Sequence, residues 1–226
     1  MSFVQITGED YTKLLRHRLT GDAPELTWVQ QVRDLLEPHL SKDVSLLDLG
    51  CATGYAYKTF RRFGIRYYGL DFEESYLAIA RDYFANDKSA QFIGHDITAK
   101  APPVTADIVI CSAMLEHASA LLPTLKFMAD AACKVFVLRT FLGETEKIVK
   151  LPSPVREHRD TAFKYNNQYS FEGVLRALHK LDFRTTVHPD RYTQSMPHLV
   201  DGLARTFYVL VADRPADAKA VDPREG

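Results

Sequence analysis

The chain has 226 residues, of which 46% are hydrophobic and 25% are charged, and its formal net charge is −1. This length is sufficient for one domain that buries most of its apolar surface without disulfides or a structural metal. Surfaces that bind nucleic acid usually carry a basic excess, so the balanced charge argues against a nucleic-acid substrate. No window approaches the roughly 18 apolar residues of a membrane span, and residues 1–10 lack the pattern of a signal peptide, so a cytoplasmic protein is expected.

The N-terminal part of the chain leads into a strand, a turn and a helix. Residues 1–24 are polar and are expected to form a cap or lid. Apolar residues recur at helical intervals from Leu26 to Leu40, which predicts a helix packed on a sheet. The strand predicted at 46–49 runs into a turn of small residues at 50–54. Such a turn lets the backbone approach a ligand closely and directs the positive N-terminus of the next helix at it.

Three further apolar strands are predicted at 65–70, 92–97 and 106–113. Asp71 directly follows the first of these and lies 21 positions after Gly50. An acidic side chain at this distance from a glycine turn can accept both hydroxyls of a ribose. The turn and the acid together indicate a ligand that contains adenosine.

The remaining pattern predicts a doubly wound α/β sheet that binds ligands beyond the carboxyl ends of its strands. Its further elements are helices at 73–84, 118–132 and 171–179 and strands at 134–138, 183–187 and 206–211. The pattern is interrupted at 140–170, which is expected to be a substrate-side insertion. Residues 216–226 are expected to be a disordered tail, so residues 1–215 form one predicted domain.

The ordered set of turn, acid and strand ends resembles the class I S-adenosylmethionine-dependent methyltransferases over residues 46–214. The turn reads Asp-x-Gly-x-x-x-Gly from Asp48 to Gly54, whereas a nicotinamide-binding protein is expected to show Gly-x-Gly-x-x-Gly. The resemblance implies a seven-stranded Rossmann-like sheet, mostly parallel with an antiparallel last strand, in three α/β/α layers. The family often has glycine where this chain has Ala52, and commonly has glycine where Asp182 ends the last helix.

The resemblance also implies S-adenosylmethionine as cofactor, S-adenosylhomocysteine as product, and a set of residues that hold the cofactor. One group lines the methionyl part, a second meets the ribose and adenine, and a third follows the fourth strand. The methionyl group consists of Gly50, Cys51, Ala52, Gly54 and Tyr55, and Asp48 supports this loop or meets the ammonium. The ribose and adenine group consists of Asp71, Phe72, Asp96 and Ile97. The group after the fourth strand consists of Ser112 and Ala113.

His117 is the candidate catalytic residue. It follows the fourth strand, and histidine can take the proton of a hydroxyl acceptor near neutral pH. The alternative is that Glu116 and His117 shape the loop and cap the next helix. The motif Asn/Asp-Pro-Pro-aromatic of methyltransferases that act on nucleic-acid bases is not present after this strand.

The predicted insertion contains amides flanked by tyrosines, a composition that can hydrogen-bond a hydroxylated ligand and stack on its apolar faces. The alternative is a surface loop whose amides satisfy its own backbone. Arg139 is a candidate for binding an anionic acceptor, or a solvated strand end. The substrate candidates are therefore Arg139, Tyr165, Asn166, Asn167, Gln168 and Tyr169.

The sequence thus predicts a methyltransferase that modifies a small molecule at oxygen or nitrogen, with a saccharide or other hydroxylated metabolite as the expected acceptor. No metal, nucleic-acid or membrane partner is expected, and the cysteines Cys51, Cys111 and Cys133 are interpreted as small apolar fillers. A nicotinamide-dependent oxidoreductase and a non-catalytic subunit of the same fold are the alternatives. The acceptor, its attachment to a carrier and the oligomeric state stay open.

Overall fold

A computed structural model describes residues 9–97, 101–152, 163–200 and 203–215 of the chain. The predicted tail at 216–226 lies outside these ranges. So do residues 1–8 of the predicted cap and residues 153–162 of the predicted insertion.

Six α-helices occur within the described ranges, accompanied by short 3₁₀ helices. The α-helices are α1 (Glu9–Thr20), α2 (Thr27–Leu36), α3 (Tyr57–Phe60), α4 (Glu74–Tyr83), α5 (Leu121–Ala131) and α6 (Phe171–Lys180). The 3₁₀ helices are Glu37–His39, Arg61–Phe63 and Leu115–His117.

Twelve strands accompany these helices. They are β1 (Ser45–Leu49), β2 (Arg66–Asp71), β3 (Ala90–Gly94), β4 (Ala106–Ser112), β5 (Ala132–Gly143), β6 (Lys150–Pro152), β7 (Phe163–Tyr165), β8 (Tyr169–Ser170), β9 (Arg184–Pro189), β10 (His198–Val200), β11 (Leu203–Arg205) and β12 (Phe207–Asp213).

The main sheet confirms the predicted architecture. Its strands follow the order β3-β2-β1-β4-β5-β12-β9, and β8 adds a short parallel pairing to β5. Strands β1 to β5 are parallel, whereas β12 is antiparallel to both of its neighbours. The order of strands reverses at β1 and β4, where ligands bind in doubly wound folds.

Each face of the sheet carries its own hydrophobic core, because successive side chains of a strand point to opposite faces. On β4, for example, Val109 packs with helices α5 and α6, whereas Ile108 and Ile110 pack with α2, α3 and α4. We call these the α5/α6 face and the α2–α4 face. The result is the predicted three-layer α/β/α arrangement.

The helix after the turn is short, since α3 has four residues and passes into a 3₁₀ turn that Gly64 ends with φ of +68°. Two features of the chain differ from the prediction. Strand β5 extends to Gly143, five residues beyond its predicted end, because β12 pairs with it as far as Phe141 and β8 pairs with Leu142 and Gly143. Cys133 is exposed, so it does not fill a core position.

Asp182 ends α6 in the left-handed conformation, with φ of +62°. The amide of Phe183 donates to the carbonyl of Leu178 at 3.1 Å, which satisfies one of the free carbonyls at the helix end. Aspartate tolerates this conformation better than most side chains, which explains how it stands where the resembled family has glycine. No helix in the described part of the chain is long and apolar enough to cross a membrane.

Candidate functional site

The candidate site lies at the carboxyl ends of the parallel strands, on both sides of the point where the strand order reverses. Leu49 at the end of β1 is paired with Leu70 of β2 and with Cys111 of β4. This register places the 50–54 turn between Asp71 and Ser112. The sheet therefore brings together segments that are distant in the chain, such as Leu49 and Cys111, which are 62 positions apart.

The turn is small because its neighbours leave no room for side chains. A Cβ atom on Gly50 would lie 2.5 Å from Sδ of Met114, and one on Gly54 would lie 2.5 Å from the Phe92 ring. Both glycines have positive φ, +78° and +71°. Met114 was not singled out from the sequence, because nothing in the chain order relates it to the turn.

Ala52 adopts the left-handed conformation in this turn, with φ of +49°. An L-residue with a Cβ pays roughly 1–2 kcal/mol for this conformation. We therefore expect Ala52→Gly to raise the free energy of unfolding by about 0.5–1 kcal/mol, after the greater freedom of glycine in the unfolded chain is subtracted.

Urea unfolding measures this effect, and Ala56→Gly is the matched control. Ala56 is four residues away and has right-handed φ and ψ of −65° and −31°, so glycine there is expected to destabilise by about 0.5–1 kcal/mol. A change in the free energy of unfolding of the same sign in both variants would contradict the assignment of backbone strain to Ala52.

Four backbone N–H groups of the turn donate to acceptors within the protein. The amides of Gly50 and Cys51 donate to the carbonyl of Leu70 at 2.8 and 3.0 Å, and that of Gly54 donates to the carbonyl of Cys51 at 2.9 Å. The amide of Ala52 donates to Oδ2 of Asp71 at 2.9 Å. A dinucleotide pyrophosphate is bound by free N–H groups at such a turn, so this geometry disfavours a nicotinamide cofactor.

Asp71 is buried at the end of β2 and connects the turn to α4. Its Oδ1 accepts the amide of Glu73 at 2.9 Å, while Oδ2 accepts that of Ala52. Burial raises the pKa of this carboxyl, and the backbone hydrogen bonds oppose the shift. Each carboxylate oxygen has a further lone pair, so the side chain is held in place and can still accept hydroxyl donors.

Asp48 is also buried, and its Oδ2 accepts the hydroxyl of Tyr67 at 2.7 Å. Desolvation raises the pKa of Asp48 from its usual value near 3.8 to about 7, against the opposing effect of the Tyr67 hydrogen bond. Tyr67 was not predicted as part of the site, because in the sequence it is one more apolar residue of a strand.

The raised pKa of Asp48 predicts how stability depends on pH. From pH 4 to about pH 7 the folded protein binds a proton that the unfolded chain has lost, so unfolding free energy falls as pH rises. Asp48→Asn keeps an acceptor for Tyr67 but removes this titration. Relative to wild type without ligand, the variant is expected to gain about 2–3 kcal/mol between pH 4.5 and pH 8.

The measurement is urea unfolding of both proteins at several pH values in that window. Asp82→Asn on the exposed side of α4 is the control and is expected to show no such gain. A constant difference between wild type and Asp48→Asn at all pH values would contradict the prediction.

Helix α1 packs directly on the turn. Leu15 is fully buried, and its carbonyl accepts the hydroxyl of Thr53 at 3.4 Å. Tyr11 contacts the ring of Tyr76 edge-on, with centroids 6.2 Å apart. The guanidinium of Arg18 lies 5.7 Å from the ring centre of Tyr55. The polar N-terminal segment thus covers the predicted cofactor loop.

The adenine-side candidates lie around the end of β3. Ile97 is buried, Asp96 is exposed and Phe72 is partly buried beside Asp71. The amide of His95 donates to the carbonyl of Asp71 at 2.9 Å, which connects the β3 end to the β2 end. The candidates predicted from separate strands are therefore on one continuous edge.

On the other side of the turn, Arg139 is buried and its partner is Asp190, from the segment after β9. Nε of Arg139 lies 2.7 Å from Oδ1 of Asp190, and the guanidinium lies 3.7 Å from the ring centre of Phe207. Thr193 also donates its amide and hydroxyl to Asp190. Burial alone would raise the pKa of Asp190, but the bonds from Arg139 and Thr193 keep it below its usual value.

Arg139 also approaches the predicted cofactor residues after β4. One of its terminal nitrogens lies 3.5 Å from the hydroxyl of Ser112. The amide of Ala113 donates to the Arg139 carbonyl at 2.9 Å, and Ala113 has a φ of +56°. The guanidinium thus has internal partners, and its predicted contact with an acceptor stays a prediction.

His117 is exposed at the end of the 3₁₀ helix after β4, and its ring orientation is fixed by a backbone group. Nδ1 lies 2.8 Å from the carbonyl oxygen of Tyr165. A carbonyl can only accept, so Nδ1 carries the proton and, in the neutral ring, Nε2 is the acceptor. The preceding Glu116 is buried and accepts the hydroxyl of Thr140 at 2.9 Å. Burial raises the pKa of Glu116, while His117 and Thr140 oppose the shift.

The amide cluster of the insertion is largely buried. The side chain of Asn167 donates to the carbonyl of Ala118 at 2.8 Å and accepts the amide of Val149 at 3.0 Å. Gln168 donates to the carbonyl of Thr145 at 3.0 Å. Asn166 and Tyr169 are also buried, whereas Tyr165 is partly exposed. The amides thus fix the loop above β4, and their predicted contact with an acceptor stays untested.

Within the described ranges, no group of three or more His, Cys, Asp or Glu side chains is placed to hold a metal ion.

Comparison with known proteins points to one kind of domain. Residues 47–132 match the family model for a methyltransferase domain. This part of the chain is thus similar to methyltransferase domains, in agreement with the predicted family and with S-adenosylmethionine as the predicted cofactor. Comparison with curated protein sequences gives no match.

Solved structures share the fold of this chain at low sequence identity. A TehB-like SAM-dependent methyltransferase from Corynebacterium glutamicum has a TM-score of 0.62 at 14% identity, over 92% of this chain and 97% of that one. Magnesium protoporphyrin IX methyltransferase from Synechocystis, with bound SAH, has 0.58 at 19% identity, over 94% and 90%. The glycopeptide N-methyltransferase MtfA, in complex with SAM, has 0.57 at 14%, over 84% and 95%. These similarities support the fold.

Proposed function

We propose that this methyltransferase modifies a hydroxyl or amine of a small hydroxylated molecule, and that His117 takes the acceptor proton. The observation that supports a base at this position is the bond between Nδ1 of His117 and the Tyr165 carbonyl. It leaves Nε2 as the acceptor of the neutral ring and keeps Nδ1–H bonded when Nε2 gains a proton.

The residues of the turn fit the cofactor. Its small residues allow close approach, and its inward N–H groups suit a ligand whose methionyl part carries positive charge and no pyrophosphate. In this proposal Gly50, Cys51, Ala52 and Gly54 line the methionyl part. Asp48 is buried in β1 just before the turn, and its ionised form favours the cationic ligand electrostatically.

Asp71 is proposed to accept the ribose hydroxyls. It is held by two backbone amides, so little side-chain entropy is lost when it binds. Phe72, Asp96 and Ile97 lie along the same edge and are proposed to contact the adenine. Tyr55 directly follows the turn, whereas Ser112 and Ala113 lie at the end of β4, beside the start of the turn.

The ribose assignment predicts that Asp71→Asn weakens binding of S-adenosylhomocysteine by about 10- to 100-fold, because a charged acceptor for two hydroxyls becomes a neutral amide. Isothermal titration calorimetry measures the affinity. Asp82→Asn on α4 is the control and is expected to leave the affinity unchanged. Equal affinities for Asp71→Asn and wild type would remove the ribose role.

In methyl transfer, the protein has to position the acceptor and accept its proton. S-adenosylmethionine supplies a methyl group on a sulfonium, and the sulfonium becomes a neutral thioether when the methyl group leaves. The protein has to hold the acceptor in line with that methyl group, which can contribute several kcal/mol to the rate. Nε2 of His117 then receives the proton that the acceptor hydroxyl or amine loses.

The acceptor is proposed to lie near His117, against Tyr165 and the loop that the buried amides support. Tyr165 is partly exposed and can stack on the apolar face of a saccharide. Arg139, Asn166, Asn167, Gln168 and Tyr169 are the further candidates. Their internal bonds favour a positioning role, in which they hold the wall of the site.

The test is transfer of a labelled methyl group from S-adenosylmethionine to separate panels of saccharides, other hydroxylated metabolites, amines, transfer RNA and protein. Labelled small-molecule product from the hydroxylated or amine panels is the expected result. Product only with transfer RNA or protein would overturn the proposed acceptor class. Cofactor binding with no product in any panel would instead favour the non-catalytic alternative.

A further inference from the structure

A cavity outside the proposed methyl-transfer site is lined by basic side chains on an apolar floor. It lies between the end of α1, the start of α2 and the region of α3, and its volume is about 410 Å³. Pockets for small molecules commonly have volumes of this order. Four of its lining residues are basic and one, Glu25, is acidic. The basic residues are Arg18, Arg33, Lys58 and Arg62.

The charge around this cavity is local, since the whole chain has a net charge of −1. Arg33 is paired with Asp34 at 2.6 Å, so part of its charge is neutralised. The carboxylate of Glu25 accepts the Thr59 hydroxyl. Lys58 reaches toward α1, with its Nζ 3.3 Å from the position of a Cβ on Gly21. An excess of positive charge therefore remains at the cavity wall.

The floor of the cavity is apolar. Val29 is buried, and Leu26 and Tyr55 are partly buried beside it. All three pack with the core of the α2–α4 face. Apolar contact on one side and guanidinium groups on the other suit a molecule that has both a hydrophobic body and an anionic group.

This cavity is distinct from the proposed acceptor position. Leu115 and Ala118, on either side of His117, pack with the core of the α5/α6 face. The cavity floor instead packs with the core of the α2–α4 face. Tyr55 is common to both regions, because it directly follows the 50–54 turn and also lines the cavity.

We infer that the cavity is a second ligand site, which binds a small organic oxyanion, phosphate or carboxylate, through its basic wall and apolar floor. The inference does not depend on which acceptor is methylated. A bound oxyanion would contact Arg62 and Lys58 at the mouth of the cavity and place its apolar part against Val29 and Tyr55.

The experiment is isothermal titration of the full chain with phenyl phosphate, benzoate, inorganic phosphate and benzyl alcohol. The first two probes carry a ring and an anion, and comparison between them separates phosphate from carboxylate recognition. Inorganic phosphate lacks the ring and benzyl alcohol lacks the charge. We expect saturable binding of phenyl phosphate or benzoate that is tighter than that of either single-feature probe.

Charge-reversal variants locate the binding. Arg62→Glu and Lys58→Glu are each expected to weaken it by at least about tenfold. Arg61→Glu is the matched control, because Arg61 is the exposed neighbour of Arg62 and does not line the cavity. It is expected to change affinity less than about twofold. Thermal unfolding of each variant checks that the fold is retained.

Three results would overturn the inference. One is the absence of saturable binding with all four probes. Another is equal loss of affinity in Arg61→Glu and Arg62→Glu, which would show diffuse surface attraction. The third is competition between the probe and S-adenosylhomocysteine, which would assign the cavity to the cofactor site.

Discussion

Replacing His117 with asparagine is expected to lower kcat by about 10²- to 10⁴-fold, the usual contribution of a general base. The amide of asparagine can still donate to the Tyr165 carbonyl, as Nδ1 of His117 does at 2.8 Å. The variant therefore keeps the loop contact and loses only the proton acceptor. Single-turnover methyl transfer to the acceptor found in the panels measures the effect.

Two measurements separate catalysis from loop structure in this prediction. The affinity for S-adenosylhomocysteine is expected to stay within about twofold of wild type. His179→Asn, on the exposed face of α6, is expected to leave kcat unchanged. Full activity of His117→Asn would show that His117 shapes the loop without taking a proton, and the acceptor would then be one that needs no base.

Asp190→Asn is expected to lower the free energy of unfolding by about 3–5 kcal/mol, because it leaves the guanidinium of Arg139 buried without a counter-charge. The two side chains are 5% and 0% exposed, so solvent cannot replace the lost partner. The surface pair Lys126–Asp130 provides the contrast, and Asp130→Asn there should cost less than about 0.5 kcal/mol. Urea unfolding at low temperature compares these variants.

A double variant distinguishes the effect of an unpaired buried charge on Arg139 from a general disruption of core packing. Arg139→Met with Asp190→Leu removes both charges and keeps side chains of similar length. Replacing a whole buried ion pair by apolar residues is often close to neutral. The double variant is thus expected to recover part of the loss seen in Asp190→Asn, since Thr193 still lacks the acceptor that Asp190 provides for its amide and hydroxyl. A loss below about 1 kcal/mol in Asp190→Asn would contradict the role of the pair.

Features that depend on neighbouring residues were predictable from the sequence. The turn at 50–54 and Asp71 form a pattern of small residues, strand and acid that is visible in chain order. The alternation of strands and helices also predicted the sheet. The predicted end of β5 was wrong, because pairing with β12 and β8 extends this strand, and pairing with distant strands is not a local property.

Contacts between distant residues were not predictable. Arg139 and Asp190 are 51 positions apart, and nothing near either residue specifies the other. The carbonyl partner of His117 lies 48 positions away in the insertion. The amides of Asn167 and Gln168 suggested ligand contact, yet the loop folds so that they bind backbone groups. The composition of a loop shows which side chains can form hydrogen bonds, but it does not show which partners they bind.

The direction of the N–H groups in the 50–54 turn limits how this protein could be re-engineered. Glycine substitutions could convert the turn to the motif Gly-x-Gly-x-x-Gly. The backbone amides of residues 50 and 51 would still donate to the carbonyl of Leu70, and that of residue 52 would still donate to Asp71. A pyrophosphate would still find these three amides occupied. Conversion to a dinucleotide cofactor would also require changes at the end of β2, where these acceptors lie. The residues at the end of the neighbouring strand thus influence cofactor choice as much as the residues of the loop.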